Sequence, residues 1–174
     1  MHALSAIEEK FVLHWGEMGT RWGVNRTVAQ IHALLYLSER PLNAEDIATT
    51  LAVARSNVST SLKELQSWGI VRVVHVMGDR RDHFESLVDV WQMFLIILDE
   101  RKRREIDPTL RVLRECLAES GKSDAHARER IAAMLGFFET MSTWYHQFRR
   151  LPQAAMIKFF KLGSRAGKAL GITT

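Results

Sequence analysis

Between Arg55 and Arg81 the chain collects side chains suited to meeting an anionic, hydrogen-bonding surface. Arg55, Ser56, Asn57, Ser59, Thr60 and Lys63 fall close together, and Arg80 and Arg81 follow Gly78 and Asp79. Short hydroxyl and amide groups let a backbone approach a polar surface closely, while guanidinium and ammonium groups pair with phosphate. No catalytic set accompanies them. The chain lacks His-Glu-x-x-His, Gly-x-Ser-x-Gly and Walker-type loops, and its seven histidines show no ligand spacing to Cys or acid clusters. The sequence therefore points to no catalytic residue, metal or cofactor, although a site assembled from distant residues stays open. Cys116 is the single cysteine, so no intramolecular disulfide can form. It reads as a small hydrophobe beside the Leu117 stripe, with a thiol sensor as the alternative.

Two short helices and a hairpin must position these groups. Asn43 suits an N-cap, with Leu42 and Ile47 placed as a hydrophobic staple. The spacing predicts a helix from Ala44, with Glu45 and Asp46 at the positive end of its dipole and Ile47, Ala48 and Leu51 on its apolar side. Ala52 and Val53 break the pattern. Val58, Leu62 and Leu65 then recur at i, i+4 and i+7, which predicts a second amphipathic helix. Ser56, Ser59, Thr60 and Lys63 lie opposite that stripe, with Arg55 and Asn57 in the first turn. An ordinary solvated face would carry long helix-favouring side chains, whereas this one suits a helix lying in a major groove; on this helix alone an ordinary exposed face stays the alternative.

Gly69 suits the end of that helix, and Ile70 to Val76 reads as a strand rich in β-branched residues. Gly78 and Asp79 make a turn, and His83 to Glu85 return. Helix, turn, helix and a hairpin with arginines near its tip form a winged helix-turn-helix whose wing can enter a minor groove.

The stretches ARSNVSTSLKELQSWGIVR, GDRRDHFES and DVWQMF, with HALLYLSERPLNAEDIA upstream, resemble the GbsR-like branch of the MarR transcriptional regulators. The likeness covers roughly Phe11 to Leu117 and loosens in the last third. Its most specific part is the Ser-Asn-Val-Ser helix start joined to the Gly-Asp-Arg-Arg wing. It implies a homodimeric winged-helix DNA-binding protein, usually a repressor. Arg55, Ser56, Asn57, Ser59, Thr60 and Lys63 would then belong to the reading helix, and Arg80 and Arg81 to the wing.

The flanks read as support. Ile7, Phe11, Val12, Trp15 and Met18 predict an N-terminal helix over residues 4–19, with Gly16, Gly19 and Gly23 at a frayed end and a close-packed turn. A helix beginning at Arg26 or Thr27, with Thr27 as N-cap, carries Val28, Ile31, Leu34, Leu35 and Leu37 and should end before Pro41. Arg26 either lies near the DNA backbone or stays in solvent. Leu87 to Leu98 is apolar nearly all round, too short to cross a hydrocarbon core of about 30 Å, and needs cover from several sides. The charged run from Asp99 to Glu105 continues that helix as a solvated face. Asp107 and Pro108 then read as cap and first residue of another helix, with Leu110, Leu113 and Leu117 as its stripe. After a break at Ser120, Gly121 and Lys122, Ser123 should cap a long helix whose period runs through Ile131, Met134, Leu135, Phe138, Met141, Tyr145 and Phe148. Pro152 opens a short helix with Met156, Phe159 and Phe160. From Leu151 onward Lys158, Lys161, Arg165 and Lys168 meet no acid, and Gly163, Gly167 and Gly171 loosen the tail. Such a tail could suit a membrane surface, but its aromatic side is expected to pack into the arm with the cations in water and no membrane partner.

The expected architecture is mainly α: an N-terminal helix over 1–25, a winged core with a two-stranded wing over 26–86, and a helical dimerisation arm over 87–174. A chain of 174 residues, 47% hydrophobic, can fold as one such unit. Net charge +4 and a pI near 9.5 favour an anionic partner without naming it. With neither a disulfide pair nor a leader pattern, a cytoplasmic protein is expected. The functional expectation is a homodimer on a pseudo-palindromic double-stranded DNA operator, repressing and released by a small molecule. An adaptor using the same helix face to bind protein is the rival. Trp15, Trp22, Trp91, Trp144 and Tyr145 could converge on an effector cavity holding a cation such as a quaternary ammonium compound, or could simply fill core.

Overall fold

The computed structural model describes residues 4–121 and 124–169, with side chains as far as residue 162. The Ser123 cap, Lys122, Gly171 and the side chains of Arg165 and Lys168 lie outside the described residues. Two compact units emerge, Met1–Ile97 and Leu98–Thr174.

In the first unit, α1 (Ala6–Arg21) opens with a reciprocal cap. Ser5 Oγ accepts from the Glu8 amide at 3.3 Å, and Glu8 Oε2 accepts from the Ser5 amide at 2.7 Å. The helix does not fray at its glycines, as the sequence suggested. Both are sites of contact with α2 (Arg26–Leu37): a Cβ on Gly19 would stand 2.5 Å from Ala29 Cβ, and one on Gly16 would stand 2.6 Å from Gln30 Cγ. Asn25 caps α2 by accepting from the Thr27 amide at 2.8 Å, so Thr27 lies inside the first turn instead of capping it. The helix ends at Leu37, where Ser38 Oγ donates back to the Leu34 carbonyl at 2.7 Å. Pro41 follows that end without causing it.

Asn43 Oδ1 accepts from the amides of Glu45 and Asp46, both at 3.0 Å, and starts α3 (Ala44–Leu51) where its cap predicted. Ala52 then takes left-handed geometry, φ 52° and ψ 42°, and turns the chain into α4 (Arg55–Trp68). Gly69, φ 78°, ends α4. The sheet has three strands where two were expected. The wing pairs β2 (Val71–His75) with β3 (Asp82–Ser86), and β1 (Leu42–Asn43) adds to β3 through Leu42 opposite Phe84 and Asn43 opposite His83, giving the order β1-β3-β2. Ile31, Leu34, Ile47, Val58, Leu62, Leu65 and Ile70 are fully buried, so both predicted apolar stripes meet in one core.

Asp89 Oδ1 accepts from the amides of Trp91 and Gln92 and starts α5 (Val90–Arg101) three residues later than the apolar run began. Asp89 is therefore the cap of this helix. Met93, Ile96 and Ile97 join the winged core.

In the second unit a π turn (Lys102–Ile106) runs into α6 (Asp107–Glu119). Asp107 is not the expected cap. Its own backbone is helical, φ −63° and ψ −42°, as is that of Ile106 before it, and its carboxylate takes Lys102 Nζ at 2.5 Å. Proline at 108 removes the amide that would reach back to the Arg104 carbonyl, and the wider π turn lies where that bond is lost. In the long helix α7 (Ala125–Arg149) the expected stripe is only partly covered: Phe148 is buried and Ile131, Leu135, Phe138 and Tyr145 are half-buried, while Met134 and Met141 are exposed. An ion pair from Arg114 to Glu139 at 2.8 Å ties α6 to α7. The last helix, α8 (Gln153–Ala169), is longer than its opening proline suggested; Met156 is buried, and Phe159 and Phe160 meet Phe148 edge to face. No helix among the described residues is long and apolar enough to cross a membrane.

Candidate nucleic-acid interface

The face of α4 follows from its period. Val58, Ser61, Leu62 and Leu65 turn inward, which leaves Arg55, Ser56, Asn57, Ser59, Thr60 and Lys63 exposed together. Ala54 at its N-cap position supplies no side-chain hydrogen bond, so the first turn presents its amides uncapped beside Arg55 and Ser56. Between this helix, the start of α3 and the wing lies a cleft of about 340 Å³ whose lining includes Ser59, Lys63, Gln66, Arg55, Glu45 and Arg81. Sequence reasoning placed the two basic groups near each other in order; the cleft places Arg55 and Lys63 of α4 and Arg81 of the wing around one concavity.

Arg81 is held rather than free. Its Nε lies 3.0 Å from both oxygens of Asp79, its Nη2 donates to Asp79 Oδ2 at 2.5 Å, and its amide donates to Asp79 Oδ1 at 3.0 Å. These hydrogen bonds hold the Asp79 carboxyl well below the usual carboxylate range, so it stays ionised. The buried imidazole of His83 braces the same turn, with Nδ1 2.9 Å from the Arg81 carbonyl oxygen and Nε2 3.5 Å from Asp79. Glu45 reaches both cationic elements, 3.8 Å from Arg55 Nη1 and 3.7 Å from Arg81 Nη1. Sequence reading gave Glu45 a place at a helix dipole, Asp79 a turn and His83 a strand, and none of them a contact with the cationic groups. The Asp-x-Arg spacing across a turn could have signalled that of Asp79.

Arg80 is exposed at the wing, while Arg26 and Thr27 stand at the start of α2 and do not line the cleft. The five aromatic residues divide. Trp15 lines a cavity of about 220 Å³ with Phe11, His32, Tyr36 and Met93 in the first unit. Trp144 and Tyr145 line another of about 380 Å³ with Leu98, Lys102, Phe138 and Met141 in the second. Trp22 and Trp91 line neither; Trp22 is half exposed, and Trp91 meets Phe94 edge-on. In the first cavity His32 Nε2 is buried without a hydrogen-bond partner, and burial lowers the imidazole from 6.5 to about 4. Among the described residues no group of His, Cys, Asp and Glu is arranged to hold a metal ion. Cys116 is exposed, contrary to its reading as a buried hydrophobe.

Residues 22–82 match the model of the MarR family. Over 90 residues the chain is 21% identical to YvaV of Bacillus subtilis (strain 168), named as an HTH-type transcriptional regulator; the match takes in 52% of this chain and 51% of that protein. The chain thus spans about half the length of the curated relative it matches. The fold superposes on the crystal structure of a transcriptional regulator with a TM-score of 0.66 and 21% identity, covering 82% of this chain and 95% of that one.

Proposed function

On the premise that residues 22–82 form a winged helix of the MarR family, we propose that this chain is a sequence-specific, double-stranded DNA-binding transcriptional regulator. The observation that carries this reading is that Arg55, Ser59 and Lys63, from the exposed polar face of α4, line one cleft with the wing arginine Arg81. Laid in a major groove, Ser56, Asn57, Ser59 and Thr60 reach base edges, and Arg55 and Lys63 reach base or phosphate. Arg81, already fixed by Asp79, enters the adjoining minor groove with little side-chain freedom left to lose. Arg80 and Arg26 contact the sugar-phosphate backbone, with the Thr27 hydroxyl beside Arg26 while the Thr27 amide stays with its Asn25 cap.

The protein works in the cytoplasm as a homodimeric repressor on a pseudo-palindromic operator, in the manner of the GbsR-like branch. A small molecule in the Trp15 cavity or the Trp144 and Tyr145 cavity releases it by favouring a DNA-incompetent dimer. The aromatic residues expected in one cage divide between two sites, Trp15 in the first unit and Trp144 with Tyr145 in the second. Selection of bound genomic fragments by the purified protein tests the reading. Enrichment of one palindromic sequence, with log Kd rising steeply with log salt at about 0.9 per phosphate neutralised, is the expected result. No enrichment and a flat salt response would replace this reading with the protein-binding adaptor.

A further inference from the structure

The tip of the wing is apolar. Val76 and Met77 precede Gly78, and the Asp79 amide donates to the Val76 carbonyl at 3.1 Å, closing a four-residue turn. Gly78, φ 85°, takes the third position, which favours glycine and leaves Met77 at the second. Met77 is 102% exposed, and Val76 beside it is 40% exposed. Turn tips facing only water are ordinarily polar, because an apolar side chain there gains nothing from burial. Here the apolar pair stands ahead of Arg80 and of Arg81, whose guanidinium is locked to Asp79.

Resting on the DNA-binding reading, we propose that Met77 is a wedge that presses on a base step in the minor groove next to the one entered by Arg81. A methionine is long, unbranched and polarizable, so it can follow a partly opened base step without a fixed shape of its own. Apolar wedges of this kind unstack a step and kink the duplex towards the major groove. The cost depends on the step, and pyrimidine–purine steps open most easily. Met77 therefore adds sequence preference at a position where no base edge is read. Arg81 supplies attraction to the groove, and Met77 supplies selection for deformability.

The experiment uses the full chain and the operator selected as above, with the step under the wing set to TA, CG or AA and a 2-aminopurine placed beside it. Wild type is expected to bind the TA form about tenfold tighter than the AA form, with a rise in 2-aminopurine fluorescence. Met77→Ser is expected to lose that preference and that rise, weakening the TA complex about tenfold while its salt slope stays as in wild type. Met77→Leu, which keeps the apolar bulk, is expected to retain both. If Met77→Ser binds TA and AA as wild type does, the wedge is refuted and the DNA-binding reading stands. Equal weakening on every step without a fluorescence change likewise refutes it, leaving Met77 as a contact to sugars. Should wild type bind no duplex at all, the reading beneath the wedge is what fails.

Discussion

Glu45 stands between two arginines that DNA would also claim, and the geometry sets the sign of its effect. Its contacts at 3.8 and 3.7 Å are solvent-exposed pairs, so they add little stability. A phosphate brought into the cleft would meet the same arginines and be repelled by the carboxylate. Glu45→Gln should therefore leave the melting temperature nearly unchanged and tighten DNA binding a few-fold, as gel shifts at fixed salt would read. The two DNA-facing elements separate in the same assay. Lys63→Ala or Ser56→Ala should change which bases are preferred, at roughly 1–3 kcal/mol for a good base contact. Arg81→Ala should weaken all good sites together and flatten the salt dependence. Unchanged affinity in Arg81→Ala would remove the wing from the interface. His32 makes a different prediction. Its ordinary value of 6.5 applies to the unfolded chain and about 4 to the folded one, so the unfolded state binds the proton first. Stability is whole above pH 6.5 and falls as the pH drops from 6.5 towards 4, by about 3 kcal/mol in all. Urea unfolding at pH 7 and pH 4.5 should show that loss in wild type and much less of it in His32→Phe, which keeps an apolar ring in the cavity wall.

At the scale of elements, the turn between α3 and α4 holds α4 at its angle, and it does so through a strained residue. Ala52 sits at φ 52°, where a Cβ costs about 1–2 kcal/mol. Ala52→Gly should be neutral to stabilising by about 1 kcal/mol, because relieved strain offsets the greater freedom of glycine in the unfolded chain. Asn43→Ala should cost about 1–2 kcal/mol, since Asn43 caps α3 while its backbone pairs with His83. Thermal unfolding would separate the two signs. These elements also mark the limit of what could be read from residues alone. The periods at Ile47–Leu51 and Val58–Leu65, the Asn43 cap and Gly69 made both helices legible, because each signal is local. Strand β1 was not legible, for two residues carry no period and its pairing with β3 spans forty residues of chain. Asn25 and Thr27 are both capping types, and only the backbone decides between them. Asp107 and Pro108 looked like a start because that pair commonly is one, yet a π turn let the helix pass through. The α4 face was legible from its hydroxyls. The grip of Asp79 and Glu45 on Arg81 was not, since it depends on where a turn and a second helix bring their carboxylates.

For the whole molecule, the decisive property is what a single chain leaves uncovered. On α7 the side chains of Met134, Phe137, Met141 and Trp144 are all exposed, at spacings of three, four and three residues. That is the repeat by which one helix packs along another, and a stripe so apolar is rarely left in water. In the first unit Val90 and Phe94 add an exposed apolar edge at the start of α5. We expect a second copy to cover the α7 stripe, which gives a dimer by two-fold symmetry and places two α4 helices on half-sites about one duplex turn, or a multiple of it, apart. Light scattering at micromolar concentration should therefore return twice the chain mass, and a well-behaved monomer would sink the expectation. Met141→Glu tests the stripe itself. A carboxylate buried there without a partner costs several kcal/mol, so the dimer should weaken by on the order of a hundredfold. Because Met141 is already exposed in a single protomer, the variant should still fold, with far-UV circular dichroism close to wild type. Its binding to a full palindrome should fall towards its binding to an isolated half-site, whereas a protein that reads DNA as a monomer would lose nothing.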